Sequence, residues 1–318
     1  MATVTWVPWG SSGVMAAPLL SRQMYELAQY KLQFDRFCDL DKEFGKGKGD
    51  SVYWGVDQDL SGAPTTFAGA TLGETSLIPK DTWAQVRASL TISEVGRGVS
   101  HTAKAQVLSS IDLDARDRRR LQNHLVRVMD NGAAVAFKST DIKYSPTGAA
   151  AGTWSQTGTA GAAVTANLNA FHLREIEDYL FATLRAEPWD EDGNYICVTT
   201  RKGVRALRDD PDYQDIAKLV DPKKLLRGEV GQYGKFRIFE TNDTNALSTK
   251  GAGAVCAEAV FFGADAVKKA MAQAPLVTAE TRDHGRFVDV AWRALLGYGL
   301  MFDYSTVGKG TVVHIDST

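Results

Sequence analysis

The strongest helical pattern in the sequence is DLDARDRRRLQNHLVRVM, residues 112–129. Asp112 is a good helix N-cap residue, and the acids of the first turns suit the positive end of a helix dipole. One apolar stripe follows at helical spacing, formed by Leu121, Leu125, Val128 and Met129. The pattern predicts a long amphipathic helix from Asp112 to Met129.

The same helix carries a basic cluster, Arg116, Arg118, Arg119 and Arg120. Such a cluster is typical of a nucleic-acid patch or of a solvated or inter-subunit charged face, and the single short run favours the charged face. The whole chain has 36 Lys and Arg against 38 Asp and Glu, a net charge of −2. Because nucleic-acid-binding proteins usually have a clear basic excess, this balance argues against that class.

A large β-hairpin is predicted before this helix, over residues 51–93. Val52, Trp54 and Val56 alternate with polar or small residues, and a second mostly alternating run extends from Trp83 to Ile92. The turn-rich segment between the two runs has few large apolar residues. A hairpin of this kind cannot build its own core, so it needs a partner surface.

The N-terminal residues 1–20 form an aromatic arm with no helical or strand period, carrying Trp6 and Trp9. Exposed tryptophans invite association, so the arm packs either on a neighbouring subunit or on its own core. A helix is predicted over Ser21–Cys38. The glycines and lysines of residues 45–50 lack the P-loop pattern and predict a flexible hinge.

An irregular excursion is predicted over residues 138–166, followed by a second helix over Leu168–Arg185 that Pro188 ends. Its apolar face is Leu173, Ile176, Leu180 and Leu184. A compact α/β stretch follows, with strands at 195–199 and 235–240, helices at 201–208 and 213–220, a turn at 225–231 and a polar loop at 241–253. The last part is predicted as a strand at 254–262, a helix from Gly263 to about Met271, and strands at 286–292, 297–302 and 311–315.

Composition indicates a globular protein, with 318 residues, 44% of them hydrophobic and 23% charged. No run of 18 apolar residues is present, so no membrane helix is expected. The start, MATVTWVPWG, lacks the pattern of a secretory signal. Cys38, Cys197 and Cys256 form no CxxC motif, and we expect buried thiols in a reducing cytosol.

No catalytic or metal-binding motif is present, so we expect no catalytic residue, cofactor or metal. The five histidines lie too far apart for a metal motif, and GxSxG is absent. Gly96-Arg97-Gly98 lacks the rest of a dinucleotide fingerprint. The acid pairs Asp57/Asp59 and Asp209/Asp210 lack the ligand-rich loop of a calcium site. Active sites also assemble from distant residues, so an enzyme with no visible motif stays an alternative.

The order of elements resembles tailed-bacteriophage major capsid proteins with the HK97-like fold. Three stretches carry the resemblance: residues 195–199 followed by 207–210, residues 228–231 leading into 236–241, and residues 259–266. The resemblance covers the whole chain and implies an α+β fold with an N-terminal arm, an extended β-hairpin (E-loop), a P-domain with spine helix and β-sheet, and an inserted A-domain.

The resemblance divides the chain into five segments. They are 1–48, the N-terminal arm and helix; 49–95, the E-loop hairpin; 96–188, the P-domain with its spine helix; 189–252, the A-domain; and 253–318, the P-domain return strands and C-terminus. Some relatives cross-link a hairpin lysine to a neighbour's asparagine. Lys80 lies on the hairpin, but no acceptor asparagine can be matched, so the cross-link is not carried over.

The resemblance implies a non-enzymatic coat protein whose hexamers and pentamers form an icosahedral shell around double-stranded DNA, with weak DNA contacts. It implies a separate scaffolding protein, a portal, possible decoration proteins, no membrane, and a virion location after assembly in the host cytoplasm. The residues expected at inter-subunit contacts are Trp6, Trp9, Trp54, Lys80, Trp83, Arg118, Arg119, Asp209 and Asp210. The alternatives are an encapsulin-like cellular shell and a soluble α/β enzyme.

Overall fold

The structure is a computed structural model that describes residues 32–41, 49–57, 66, 70–72, 74, 77, 78, 80, 85–109, 112–211 and 229–318. Two sheets pack against one long helix, α2 (Leu113–Lys138). The Asp112 side chain caps this helix by accepting a hydrogen bond from the Ala115 N–H at 3.2 Å. The predicted apolar stripe packs in a core with Trp292 of the first sheet.

Helix α2 continues nine residues beyond the predicted end at Met129. Ala133, Ala134 and Phe137 of this extension are buried in a second core, which explains why the helix continues through Gly132. A Cβ at Gly132 would lie 3.1 Å from the Tyr298 ring, so glycine allows the close approach of helix and sheet at this point.

The first sheet has four strands in the order β1–β13–β14–β4, with bounds Asp39–Leu40, Val267–Arg282, Phe287–Leu300 and Ser93–Thr102. Strand β13 corrects the predicted helix at 263–271. The segment is rich in helix-forming Lys and Ala, but Val267 and Ala270 are buried and pair with Leu300 and Gly297 of β14. Tertiary pairing therefore overrides local propensity.

One further prediction for this sheet was wrong in detail. Strand β14 runs unbroken through 293–296, where the sequence predicted a gap between two strands. Strand β4, followed by the short helix α1 (Ala103–Leu108), pairs with β14 on its other side. Both strands are long because β14 pairs along most of its length with a neighbour on each side.

The predicted hairpin is confirmed at its base. Strand β2 (Ser51–Asp57) pairs in antiparallel register with β3 (Gln85–Thr91). Val52, Leu90 and Ala270 form a small core that fastens the hairpin to the first sheet. A Cβ at Gly297 would lie 2.8 Å from the Thr91 carbonyl oxygen, so this glycine lets the hairpin approach β14.

The second sheet has seven strands in the order β6–β5–β15–β12–β7–β9–β8. Their bounds are Ala151–Ser155, Lys143–Gly148, Val312–Ile315, Ala259–Phe262, Tyr195–Thr200, Phe236–Thr241 and Glu229–Tyr233. The excursion predicted as irregular at 138–166 contains β5 and β6, because Ile142 and Tyr144 are buried in the sheet's core. The sheet takes strands from outside the predicted segment 189–252, and the five-segment division remains a prediction.

Helices and short strands complete this part. Helix α3 (Ala170–Asp178), extended by a π-turn at Tyr179–Thr183, buries the predicted face of Leu173, Ile176, Leu180 and Leu184. Helix α4 (Arg201–Arg208) follows β7 as predicted. The short strand β10 (Thr249–Lys250), inside the predicted loop at 241–253, pairs with β11 (Cys256–Ala257), inside the predicted strand at 254–262. A one-turn helix α5 (Tyr304–Val307) precedes β15.

Several predicted elements lie wholly or partly outside the described residues: the arm at 1–20, most of the helix at 21–38, residues 45–48 of the hinge at 45–50, the helix at 213–220, and residues 225–228 of the turn at 225–231. The described end of that turn belongs to strand β8. The described end of the predicted 21–38 helix is a single 3-10 turn, Asp35–Phe37. Cys197 and Cys256 are buried free thiols as predicted, and Cys38 is half-buried. Within the described part, no helix is long and apolar enough to cross a membrane.

Candidate interaction surfaces

The N-terminal described segment, residues 32–41, is fixed on helix α2. The Asp130 carboxylate, which is 1% exposed, accepts hydrogen bonds from the backbone N–H groups of Phe34 and Asp35 at 2.7 and 3.0 Å. These bonds replace the helical pairing predicted for this segment. Asp35 in turn binds Lys269 and Tyr298 of the first sheet, each at 2.6 Å. Segment 32–41 is therefore held by both the long helix and the first sheet.

An open cavity of about 270 Å³ lies beside this segment. Phe37 and Trp189 give it aromatic walls, with ring centroids 5.3 Å apart in an edge-to-face contact. Ala264 and Ala266 complete its apolar lining, and the lining also includes Cys38 and the exposed acids Asp39 and Asp265. Burial raises the pKa of the Cys38 thiol, so this thiol is not a ready nucleophile.

Trp54 lies on the hairpin and contacts its own chain. Its indole N–H donates to the Met301 carbonyl oxygen at 3.1 Å, and the Lys268 ammonium lies 5.3 Å from its ring. The ring therefore helps to fasten the hairpin base. The predicted inter-subunit contact of Trp54 would use only the part of the ring that stays exposed, and it remains a prediction.

The far part of the hairpin exposes apolar side chains. Leu77 is 94% exposed and Ile78 is 70% exposed, and Lys80 is exposed beside them. Such exposure of adjacent large apolar residues favours association. The sequence analysis found Lys80 but missed Leu77 and Ile78, although their position in a segment with no core of its own was the available signal. Trp6, Trp9 and Trp83 lie outside the described residues.

Arg118 and Arg119 are exposed on helix α2, as the charged-face prediction requires. Farther along the helix, Arg127 makes a two-pronged hydrogen bond to the buried Asp243 carboxylate, at 2.8 and 3.0 Å. Burial alone would raise the pKa of Asp243, but hydrogen bonds from Arg127 and from the Asn245 N–H hold it below its ordinary value. This pair joins helix α2 to the segment that follows β9.

Asp209 and Asp210 end helix α4. The Asp210 carboxylate accepts a hydrogen bond from the Ala170 N–H at 3.0 Å, at the start of helix α3. The residue therefore has a local structural role, and its predicted inter-subunit contact is untested. Asp209 is exposed. Among the described residues, no group of three or more His, Cys, Asp or Glu is placed to hold a metal ion.

A second apolar patch lies at the end of the first sheet and was missed by the sequence analysis. Val107 and Leu108 of helix α1 are 81% and 56% exposed, and Phe287 at the start of β14 is 37% exposed. The Ala103 N–H donates to the Arg286 carbonyl oxygen, which holds α1 beside the β13–β14 turn. The unbroken apolar pair at 107–108 was the signal in the sequence.

Ionisable groups form a buried network under the second sheet. The Lys143 ammonium donates to Nδ1 of His314 at 3.0 Å, so Nε2–H of the neutral ring donates to Glu258 at 2.8 Å. Burial lowers the pKa of His314. Burial would raise the pKa of Glu258, but hydrogen bonds from His314 and Ser248 lower it to about 2. The partners satisfy one another, so the network acts as a structural tie between β5, β12 and β15.

The whole described fold is that of phage capsid proteins. A chain from the capsid of Ralstonia phage GP4 matches with a TM-score of 0.65 and 16% identity, over 99% of this chain and 98% of that chain. A chain of the cyanophage Pam1 capsid matches with a TM-score of 0.67 and 16% identity, over 95% and 98%. A capsid chain of Helicobacter pylori bacteriophage KHP30 matches with a TM-score of 0.66 and 12% identity, over 99% and 100%.

The likeness at these identities is one of fold. No protein-family model matches the sequence. No curated protein matches it either. The α+β capsid-protein fold predicted from the order of elements is therefore confirmed by structure and not by sequence similarity.

Proposed function

We propose that this chain is a major capsid protein of a tailed bacteriophage. Its hexamers and pentamers would form an icosahedral shell around double-stranded DNA. The observation that carries the proposal is the extent of the likeness: the match to capsid chains spans 95–99% of this chain and 98–100% of the three neighbours. A shared fold alone does not fix function, but here the match spans nearly the whole length of every chain compared.

The surfaces support a protein that is completed by its neighbours. The hairpin is fastened at its base by Trp54 and carries Leu77 and Ile78 exposed at its far part. A second exposed patch lies at Val107 and Leu108. A contact made by two or three exposed apolar side chains is weak by itself. In a closed shell the same contact repeats many times, and the free energies of the repeats add.

The balanced charge supports weak contact with the enclosed DNA. Phosphate contacts from Lys and Arg dominate DNA affinity and depend steeply on salt. A chain with 36 basic and 38 acidic residues has no basic excess to supply many of them. In a gel shift, the free subunit should bind DNA weakly and lose that binding as salt rises. Tight binding at physiological salt would contradict this part of the proposal.

The proposed role is structural and not enzymatic. The proposed partners are a separate scaffolding protein, a portal and decoration proteins. The protein would act in the host cytoplasm during assembly and then in the virion. An encapsulin-like shell would share the fold and differ by enclosing protein cargo. The three matching structures are phage capsids, which favours the phage shell.

The test is to express the chain and examine it by sedimentation and negative-stain electron microscopy. Closed shells, tubes or six-fold rings support the proposal. Nuclease-protected DNA in particles made during infection would distinguish a phage shell from a protein-cargo shell. The chain can also be co-expressed with every other protein of its gene neighbourhood. If it still forms only a discrete small oligomer, that result would contradict a shell of either kind.

A further inference from the structure

A row of basic side chains follows one side of helix α2. Arg116, Arg120 and His124 are spaced four residues apart, so they lie one above another on the same face of the helix. Arg120 and His124 are exposed, and Arg116 is half-buried. At 1.5 Å per residue the row is about 12 Å long. The long helix therefore presents a straight line of basic groups beside its buried face.

Strand β4 adds an exposed arginine, Arg97, to this row. Arg97 lies directly opposite Trp292 in the pairing of β4 with β14, and the Trp292 indole N–H donates to Nδ1 of His124 at 3.3 Å. Trp292 thus brings Arg97 and His124 together. Burial lowers the pKa of His124 and the charge of Arg97 lowers it further, which agrees with this placement. The α2–β4 stripe is the set of these four basic residues, Arg97, Arg116, Arg120 and His124.

The cations of the stripe repel one another. Burial lowers the pKa of Arg116 and the charge of Arg120 lowers it further, whereas Asp117 raises it. The Asp117 carboxylate is itself shared with His101, whose Nδ1 lies 3.0 Å from it. An anion from outside the chain would offset the repulsion between the arginines, and the exposed side chains of the stripe are accessible to one.

We propose that the α2–β4 stripe binds the phosphodiester backbone of the double-stranded DNA inside the shell. The inference rests on the proposed function and names the surface that meets the enclosed DNA. A guanidinium binds a phosphate with two parallel hydrogen bonds, and three arginines make a weak contact that agrees with the balanced net charge of the chain.

Charge density favours DNA over an acidic protein segment as the occupant. A duplex carries one phosphate charge per ~1.7 Å of its axis, so about seven charges lie along the ~12 Å of the row. An extended acidic polypeptide carries at most one carboxylate per residue, which is one per ~3.4 Å. The duplex therefore meets the row with about twice the charge.

The salt dependence of duplex binding by the unassembled subunit tests the stripe, with fluorescence anisotropy as the readout from 50 to 200 mM salt. Each phosphate contact contributes about −0.9 to the slope of log affinity against log salt concentration. Arg97→Gln, Arg116→Gln and Arg120→Gln should therefore each make the slope about 0.9 less steep. Across this fourfold range of salt, the affinity of the triple variant should fall about 40-fold less than that of wild type.

The matched control is Arg118→Gln, which removes the same charge from an exposed arginine of the same helix. Arg118 is two residues from both Arg116 and Arg120, so it faces another side of the helix, and its replacement should leave the slope unchanged. A triple variant that is folded by circular dichroism and keeps the wild-type slope would overturn the inference. An Arg118→Gln slope that changes as much as that of Arg120→Gln would also overturn it.

Polyglutamate of the same total charge is the competing probe. The duplex should stay bound to the wild-type subunit in its presence. Displacement of the duplex by polyglutamate would assign the stripe to an acidic protein segment and overturn the inference.

A cryo-electron microscopy reconstruction of DNA-filled particles separates this contact from the proposed function. The inference predicts that the stripe lines the inner surface of the shell, with the outermost layer of DNA against Arg116 and Arg120. A closed shell in which the stripe faces outward, or is covered by a neighbouring subunit, would overturn the DNA contact and leave the capsid role intact. A wild-type chain that forms no shell with its co-expressed partners would contradict the proposed function, and the contact with it.

Discussion

Replacing Arg127 with alanine should destabilise the folded chain strongly, because the pair it forms with Asp243 ties the long helix to the second sheet's connections. The Asp243 side chain is fully buried, and the Arg127 side chain is 29% exposed. Two hydrogen bonds, at 2.8 and 3.0 Å, join the guanidinium to both carboxylate oxygens. Arg127→Ala would leave a buried carboxylate without its charged partner.

The expected cost is about 3 kcal/mol in the free energy of unfolding. Breaking a buried ion pair by removing one partner typically costs about 3–5 kcal/mol. The lower end applies because the partial exposure of Arg127 lets water reach the site, and because the Asn245 N–H still donates to Asp243 at 3.0 Å. At a slope of about 3 kcal/mol per molar, the urea midpoint should fall by about 1 M.

Urea unfolding of the unassembled subunit at pH 7, followed by circular dichroism, measures this change. Arg118→Ala is the matched control, since Arg118 is an exposed arginine on the same helix. Its cost should stay within about 0.5 kcal/mol, as for most surface substitutions. Arg127→Lys should fall between the two, because an ammonium keeps the charge and loses the two-pronged geometry.

The pH dependence of the stability difference between wild type and Arg127→Ala gives a further test that could refute this reasoning. Asp243 has a pKa below its ordinary 3.8 in the folded chain, so its pair stabilises fully above that pH and loses its contribution as the pH falls further. The difference between wild type and Arg127→Ala should therefore be constant at and above about pH 5 and should shrink as the pH falls below 3.8. An Arg127→Ala cost no larger than that of Arg118→Ala, or a difference that does not change with pH, would refute the reasoning.

Three other outcomes are expected. Phe37→Ala should lower the free energy of unfolding by about 3–5 kcal/mol, because a ring packed in the core is lost. Leu40→Ala removes a side chain that is 44% exposed and should lower that free energy little. Equal urea midpoints for the two variants would contradict this. The folded chain holds His314 neutral, with a lowered pKa, so unfolding should become easier as the pH falls below about 6.5. His314→Gln should reduce that slope of melting temperature against pH, and the rest of the slope is expected from His124 and His172, whose pKa values burial also lowers. Deleting residues 1–20 should leave the melting temperature unchanged, because the segment from Phe34 to Phe37 remains fastened, and should lower particle yield; unchanged shells would count against a role for the arm.

Patterns within one element could be predicted from the sequence. The stripe of helix α2, the buried face of helix α3 and the alternation in strands β2 and β3 depend on residues close together in the chain, where period alone carries the signal. The same locality explains the prediction of helix α4 to its first and last residue.

Features that depend on distant residues could not be predicted. The segment at 267–271 reads as helix because its Lys and Ala residues favour one, yet pairing with β14 makes it a strand. The hydrogen bonds from Phe34 and Asp35 to Asp130 join residues about 95 positions apart. No short sequence pattern predicts either of these contacts.

The candidate surfaces also divide into those that a local sequence pattern predicts and those that depend on residues far apart in the chain. The sequence pointed to the hairpin and to Lys80, because a long segment without its own core signals a missing partner. It did not point to the cavity, whose walls come from Phe37, Trp189 and Ala264. The inter-subunit contact assigned to Trp54 stays a prediction; the hydrogen bond from its indole N–H to the Met301 carbonyl oxygen joins residues far apart in the chain and could not be predicted.

The most direct test of the capsid account is a cryo-electron microscopy reconstruction of particles purified from infected or expressing cells. The account predicts a closed icosahedral shell in which this chain forms pentamers at the five-fold vertices and hexamers elsewhere. It also predicts that the hairpin of each subunit lies over a neighbour. A particle whose shell density fits another protein, or a purified chain found only as a small closed oligomer, would contradict it.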